Sequence, residues 1–182
     1  MKSFFRDTLI TLLLALVIFF GARATFQHTI VIGSSMEPTL PPGEHLMINK
    51  VVYKFHEPAR GDIVIFRSPS PHDQNQTPLI KRVIGLPGES VELKNGKVYI
   101  HKPDNSVLTL NELYIKDPAR RDYYSQKIPE NQYFVLGDNR NNSGDSREGW
   151  AVPRQNIIGK AWLAIWPPAE WGMAPNYPLP AN

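Results

Sequence analysis

Three short blocks of this sequence carry residues that could do chemistry together. The first is Gly33-Ser34-Ser35-Met36-Glu37-Pro38-Thr39-Leu40. A serine hydroxyl is a weak nucleophile until a base takes its proton. On local chemistry alone, a serine pair before a proline is most often simply a turn. The second block is Leu79–Glu89, where Lys81 interrupts an apolar run. Period two puts Leu79, Lys81 and Val83 on one strand face, and Ile80, Arg82 and Ile84 on the other. Such a lysine either snorkels to solvent or is desolvated. Burial lowers a lysine pKa, and a neutral amine can accept a serine proton. The third block, Gly137–Trp150, is dense in Asn, Asp and Ser and follows the apolar run Tyr133-Phe134-Val135-Leu136. Taken alone it is a solvated turn or a cation loop, although it lacks the ligand spacing and terminal glutamate of an EF-hand.

Composition narrows the alternatives. The 182 residues include no cysteine, which excludes a thiol nucleophile, a thiolate metal site and any disulfide. His28, His45, His56, His72 and His101 are scattered, with no His-Glu-x-x-His pair or other short ligand spacing. They read as surface or loop histidines, so neither a metal nor another cofactor is expected. The net charge is only +3, and no Lys/Arg cluster points to nucleic acid.

The elements that must position these blocks are short strands. Ile30–Ile32, Leu46–Ile48, Ile63–Phe66, Leu79–Ile84, Ser90–Leu93, Lys97–Ile100, Tyr133–Leu136 and Ile158–Trp166 are apolar runs bounded by Gly/Pro turns. Asn95-Gly96 between Val91-Glu92-Leu93 and Val98-Tyr99-Ile100 predicts a tight hairpin. Many short strands with such turns imply a mainly β domain, a sandwich or barrel. Residues 67–78 and 102–128 are polar and contain proline. Both read as loops, the second with a short helix near Leu110–Tyr114. The proline-rich tail from Pro167 reads as irregular.

Thr8–Ala22 is uncharged and apolar, with Lys2 and Arg6 before it and Arg23 after it. A cleavable export signal is one reading, since Ala22-Arg23-Ala24 loosely fits a small-x-small site. A permanent anchor is the other. A span needs about 20 apolar residues. Phe4, Phe5 and Phe26 extend the run, and Arg23 can snorkel to the head groups. The arginine inside the cleavage site favours the anchor. The basic residues ahead of it place the N-terminus in the cytoplasm. Residues 1–26 are then a short cytoplasmic tail and membrane anchor helix. Residues 27–182 form a β-rich domain on the outer face, whether periplasmic, extracytoplasmic or lumenal.

The blocks together resemble the type I signal peptidase family, whose members are serine peptidases with a Ser/Lys dyad. Ser35-Met36-x-Pro38-Thr39-Leu40 resembles its nucleophile box, and Arg60-Gly61-Asp62-Ile63-Val64 the structural box that follows. Lys81-Arg82-Val83-Ile84-Gly85-Leu86-Pro87-Gly88 is similar to its lysine box. Gly137-Asp138-Asn139-Arg140-x-x-Ser143-x-Asp145-Ser146-Arg147 is similar to its last box. The order of boxes and the N-terminal span match as well. The resemblance implies a signal-peptidase-like β-barrel or sandwich that cleaves signal peptides from exported preproteins at a lipid bilayer. It implies Ser35 as nucleophile and Lys81 as general base. Ser143 would orient the lysine amine through a hydrogen bond, and Asp145 and Arg147 would form a supporting ion pair. Asp138 and Arg140 would hold the same loop. Val31, Leu46 and Ile80 would line shallow apolar substrate pockets. Two departures stand out. Glu89 replaces a common aspartate, and Gly33 stands where some members carry a serine that completes the oxyanion hole. A self-cleaving repressor-type Ser-Lys protease would share the dyad but carry a DNA-binding domain. A peptide-binding relative without activity is the non-enzymatic alternative.

Overall fold

The computed structural model describes residues 2–71, 73 and 77–177. His72, the middle of the expected 67–78 loop and the last five tail residues lie outside the described residues. The chain begins with helix α1 (Lys2–Thr25). Among the described residues twelve strands follow: β1 (Phe26–Ile30), β2 (His45–Asn49), β3 (Ile63–Arg67), β4 (Pro78–Gly85), β5 (Ser90–Lys94), β6 (Lys97–His101), β7 (Val107–Thr109), β8 (Tyr123–Tyr124), β9 (Gln132–Leu136), β10 (Val152–Pro153), β11 (Ile157–Trp166) and β12 (Gly172–Met173). The mainly β expectation holds.

Phe4–Thr25 is long and apolar enough to cross a membrane, and none of it is buried against the rest of the chain. At 1.5 Å per residue it reaches about 33 Å, the thickness of a hydrocarbon core.

The large sheet runs β1-β2-β11-β3-β4-β9-β10, with β12 also pairing β11. The small sheet runs β7-β6-β5-β8. Strand β3 explains the layering. Ile63 and Ile65 join a cluster with Val31, Met36, Leu40 and Leu46. Val64 and Phe66 join a second cluster with Val83, Tyr133 and Val135 on the opposite face. A strand buried on both faces reads as a continuous apolar run rather than an alternating one. A third cluster lies between the small sheet and Ile84, Phe134 and Leu136. The predicted hairpin joins β5 to β6, with φ of 51° at Asn95 and 75° at Gly96, as a two-residue hairpin turn requires.

Three expectations need correction. The first strand is Phe26–Ile30, not Ile30–Ile32. Val31 leaves the ladder because its N–H donates to the Glu44 carbonyl (2.8 Å) and its carbonyl accepts from Gly43 (2.9 Å). The 102–128 segment contains β7 and β8, and no helix forms at Leu110–Tyr114. Leu110 N–H donates to Val98 O (2.9 Å), while Leu110 and Tyr114 are drawn into the core. The tail after Pro167 is pinned rather than irregular. Asn176 accepts from Ile63 N–H (2.7 Å) and donates to Ala161 O (2.8 Å), and Tyr177 stacks on Tyr114 at 5.1 Å.

Candidate active site

Lys81 lies mid-strand in β4, with Val64 of β3 as its cross-strand partner. On the other side β4 pairs with β9 only from Arg82 onward, where Arg82 faces Leu136. That register sets Gly137, just past the end of β9, beside Lys81. The nucleophile block turns back over the same spot. Gly33 has φ +79°, a left-handed conformation natural to glycine, and the chain then passes through a turn at residues 35–39. The Ser35 carbonyl accepts from Asn139 N–H (3.0 Å) and the Ser34 carbonyl from Asn139 Nδ2 (3.1 Å). Asn142 Nδ2 donates to Ser34 Oγ (2.9 Å). The loop after β9 therefore holds the serine pair against β4.

The result is a contact between residues 46 positions apart: Lys81 Nζ and Ser35 Oγ are 2.8 Å from each other. Nζ also donates to Ile80 O (3.0 Å). Lys81 is only 3% exposed. Burial holds its amine below the ordinary lysine range, and the nearby charges of Asp145, Glu148 and Asp138 oppose the shift. Desolvation outweighs these carboxylates, two of which are already paired with arginines. Asp145 is fully buried in an ion pair with Arg147 (2.7 Å and 2.8 Å). Asp138 forms a two-pronged pair with Arg82 (2.9 Å and 2.6 Å). Burial thus disfavours the charged form of Lys81, whose amine lies at hydrogen-bond distance from the Ser35 hydroxyl.

The loop after β9 is fastened by charge. Arg82 and Asp138 are both sealed from solvent, so losing either would strand a buried charge at a cost of about 3–5 kcal/mol. Arg82 also lies 4.1 Å from the centre of the Tyr114 ring and donates to Pro175 O (3.0 Å), drawing in the tail. Arg140 does not pair with Asp138. It reaches outward to Glu112 (2.5 Å and 2.8 Å). Asp145 accepts from Gly137 N–H (3.1 Å), and Arg147 donates to Arg140 O (2.7 Å). Arg60 and Glu89 form another buried pair (2.7 Å) next to the Leu86–Gly88 turn. The glutamate at position 89 thus fills a structural role.

Residues 5–166 match the family described as "Signal peptidase, peptidase S26". The "Signal peptidase I" of Leptolyngbya laminosa is 41% identical over 176 residues, covering 92% of this chain and 84% of that protein. The "Probable signal peptidase I-1" of a Synechocystis strain is 39% identical over 175 residues, covering 93% and 84%. A crystal structure of a signal peptidase I from Enterococcus faecalis aligns at a TM-score of 0.49 and 34% identity, over 58% of this chain and 97% of that one. The chain belongs to the S26 signal peptidase family. It is a peptidase of that family with one N-terminal apolar helix.

Within this peptidase the residues singled out from sequence converge, with differences in detail. Ser143 Oγ is buried and has no hydrogen-bond partner among the described residues, so the bond to the lysine amine implied by the resemblance is not made. It sits instead against Gly137, where Ser35 O also presses. Val31 (4% exposed), Leu46 (0%) and the half-buried Ile80 belong to one apolar cluster. Leu46 is fully enclosed and forms a floor rather than a wall. Positions 33–35 do not form an extended strand, so strand alternation does not set the direction of Ser34. Its hydroxyl is held by Asn142 instead. A serine at position 33 would meet no atom within 4 Å, but would adopt φ +79° under strain. Sequence reasoning missed Asn139, Asn142 and Gly137 as positioning residues. Their signal was present in the last block, but nothing in a polar loop says which neighbour it will grip.

Proposed function

We propose that this peptidase removes signal peptides from exported preproteins by a Ser35/Lys81 dyad mechanism. The observation that carries the reading is the 2.8 Å approach of Ser35 Oγ to a buried lysine amine whose protonation is disfavoured. Neutral Lys81 takes the Ser35 proton as Ser35 Oγ attacks the scissile carbonyl. It then gives that proton to the departing amine as the C–N bond breaks, leaving an acyl-enzyme and a neutral lysine. Water, activated by the same amine, then hydrolyses the ester. The Ser35 N–H has no acceptor among the described residues and is free to hold the oxyanion. Once protonated, the lysine needs further acceptors, and the unpartnered Ser143 hydroxyl beside Gly137 is placed to become one.

The substrate lies as an added strand. Among the described residues, Pro78–Lys81 pairs with β3 alone, leaving its other edge open. Across the gap, Ile32 is 91% exposed on the segment leading into Ser35. Side chains before the cut point toward Val31 and Ile80 over Leu46, in a shallow site that suits small residues. The apolar helix anchors the domain in the bilayer, with the N-terminus in the cytoplasm and residues 27–182 on the outer face. The test is cleavage of a preprotein by the purified full chain. Ser35→Ala and Lys81→Ala should each abolish it with the fold intact, and the double variant should be no worse. Retained cleavage in either single variant would refute the dyad.

A further inference from the structure

We propose that Arg120 and Arg121 form a binding site for acidic side chains in the mature segment that follows the scissile bond. This rests on the signal-peptide-removal reading and names a substrate feature beyond it. A cleft of about 590 Å³ opens beside Ser143, lined by Arg120, Arg121, Arg140 and Arg147 together with Asp122 and Glu148. Two of the four guanidinium groups are neutralised. Arg140 is held by Glu112 and Arg147 by Asp145. Arg120 and Arg121 are exposed, and neither side chain has a hydrogen bond or carboxylate partner among the described residues.

These arginines are not on a free loop. Asn141 Oδ1 accepts from Arg120 N–H (3.0 Å), and Asn141 Nδ2 donates to Pro118 O (3.0 Å). On the far side, Tyr123 Oη donates to Ser146 O (3.4 Å). The 118–123 segment is thereby pinned at both ends to the loop that carries Ser143. That same loop grips Ser34 through Asn142. The cleft reaches toward Ser35 through Ser143, which packs against Gly137 as the Ser35 carbonyl does, and none of Val31, Leu46 and Ile80 lines it. With the residues before the cut on that apolar cluster, the departing segment leaves across the arginine cleft. The acidic lining is partly committed: Asp122 accepts from Asn95 N–H and Glu148 from the Trp150 ring N–H. Two adjacent unpaired guanidinium groups suit a carboxylate, which they can bind through paired N–H donors.

The experiment uses the full chain in zwitterionic vesicles and two preproteins that differ only at the second residue after the cut, Asp or Lys. Wild type should favour the Asp substrate by about fivefold in kcat/KM, the scale of two partly exposed ion pairs. The bias should shrink at high salt. Arg120→Glu/Arg121→Glu should abolish or reverse the bias while cleaving a neutral Ser variant at near the wild-type rate. An equal Asp/Lys ratio in wild type and variant, with both enzymes active, overturns the inference and leaves the cleavage reading intact. If the double variant loses activity on all substrates alike, and only with anionic vesicles, the arginines face lipid and the inference also fails. A wild type that cleaves neither preprotein overturns the reading beneath it.

Discussion

An alanine at position 137 would place its Cβ 2.3 Å from Ser143 Oγ, 2.6 Å from Ser143 Cβ and 2.4 Å from the Ser35 carbonyl oxygen. Comfortable contacts to carbon lie near 3.5 Å, so about an ångström must be found on two sides at once. One neighbour is main chain and the other is a buried side chain, so neither can swing away. The carbonyl belongs to Ser35, the proposed nucleophile, and Asn139 N–H holds it from behind. Relief therefore moves Ser35 relative to Lys81, stretching a 2.8 Å contact. A displacement of about 1 Å at reacting groups can cost around 10²-fold. Overpacking adds about 1–3 kcal/mol of destabilisation, or a few degrees in Tm for a chain of this size. Gly137→Ala should thus fall about 10²-fold in kcat on a peptide substrate while remaining folded by circular dichroism. Adding Ser143→Gly should not rescue it, because the clash with the Ser35 carbonyl persists. A kcat within threefold of wild type, at unchanged Tm, would refute the argument that this glycine is required for space.

Ser143→Ala should lower kcat by about 10²-fold, the usual scale for disturbing an acid–base group; unchanged kinetics would remove Ser143 from the site. Ser34→Ala should cost less than about tenfold, since its hydroxyl is occupied by Asn142, whereas a true oxyanion donor is worth about 10²–10³; a larger loss in a folded variant would reverse that assignment. Lys81→Met should be inactive but more stable. The folded-state pKa of Lys81 is depressed, so its stability contribution worsens as pH falls below the ordinary lysine range. The gain in Tm should therefore be larger at pH 6 than at pH 10, and an equal gain at both would contradict it. Burial, reinforced by Glu170, pushes the Glu44 carboxyl up to about 7. Its contribution is full below the ordinary carboxylate pKa and lost as pH rises through about 7. Glu44→Gln should leave Tm unchanged at pH 4 and raise it at pH 9; a lower Tm at pH 9 would refute this.

Local pattern made the strands legible, and long-range contacts explain what it missed. β3, β4, β5, β6, β9 and β11 were readable because apolar runs and glycine or proline turns are properties of neighbouring residues. β7 and β8 were not, since each is three residues or fewer and exists only by pairing with β6 or β5. The first strand was displaced because Val31 and Ile32 are as apolar as any strand, yet Val31 bonds to the 43–44 turn. The meeting of His28 and His45 at 3.0 Å was equally invisible, because it depends on the β1–β2 register.

The site shows the same division one level up. A lysine inside an apolar strand is a local fact that leaves snorkelling and desolvation both open, and the fold buries it. That its partner is Ser35 and not Ser34 is decided by the loop after β9, which grips both carbonyls through Asn139 and diverts the Ser34 hydroxyl to Asn142. The arginine–carboxylate pairs follow this logic too. Arg82 with Asp138, Arg60 with Glu89 and Arg140 with Glu112 join segments 56, 29 and 28 residues apart. The Asp145–Arg147 pair, two residues apart, was expected from the family resemblance. Each distant pair is buried, so each is costly unless its partner arrives in register. Such pairs make small displacements of the loop unfavourable, and they hold a serine at hydrogen-bond distance from an amine whose charged form burial disfavours.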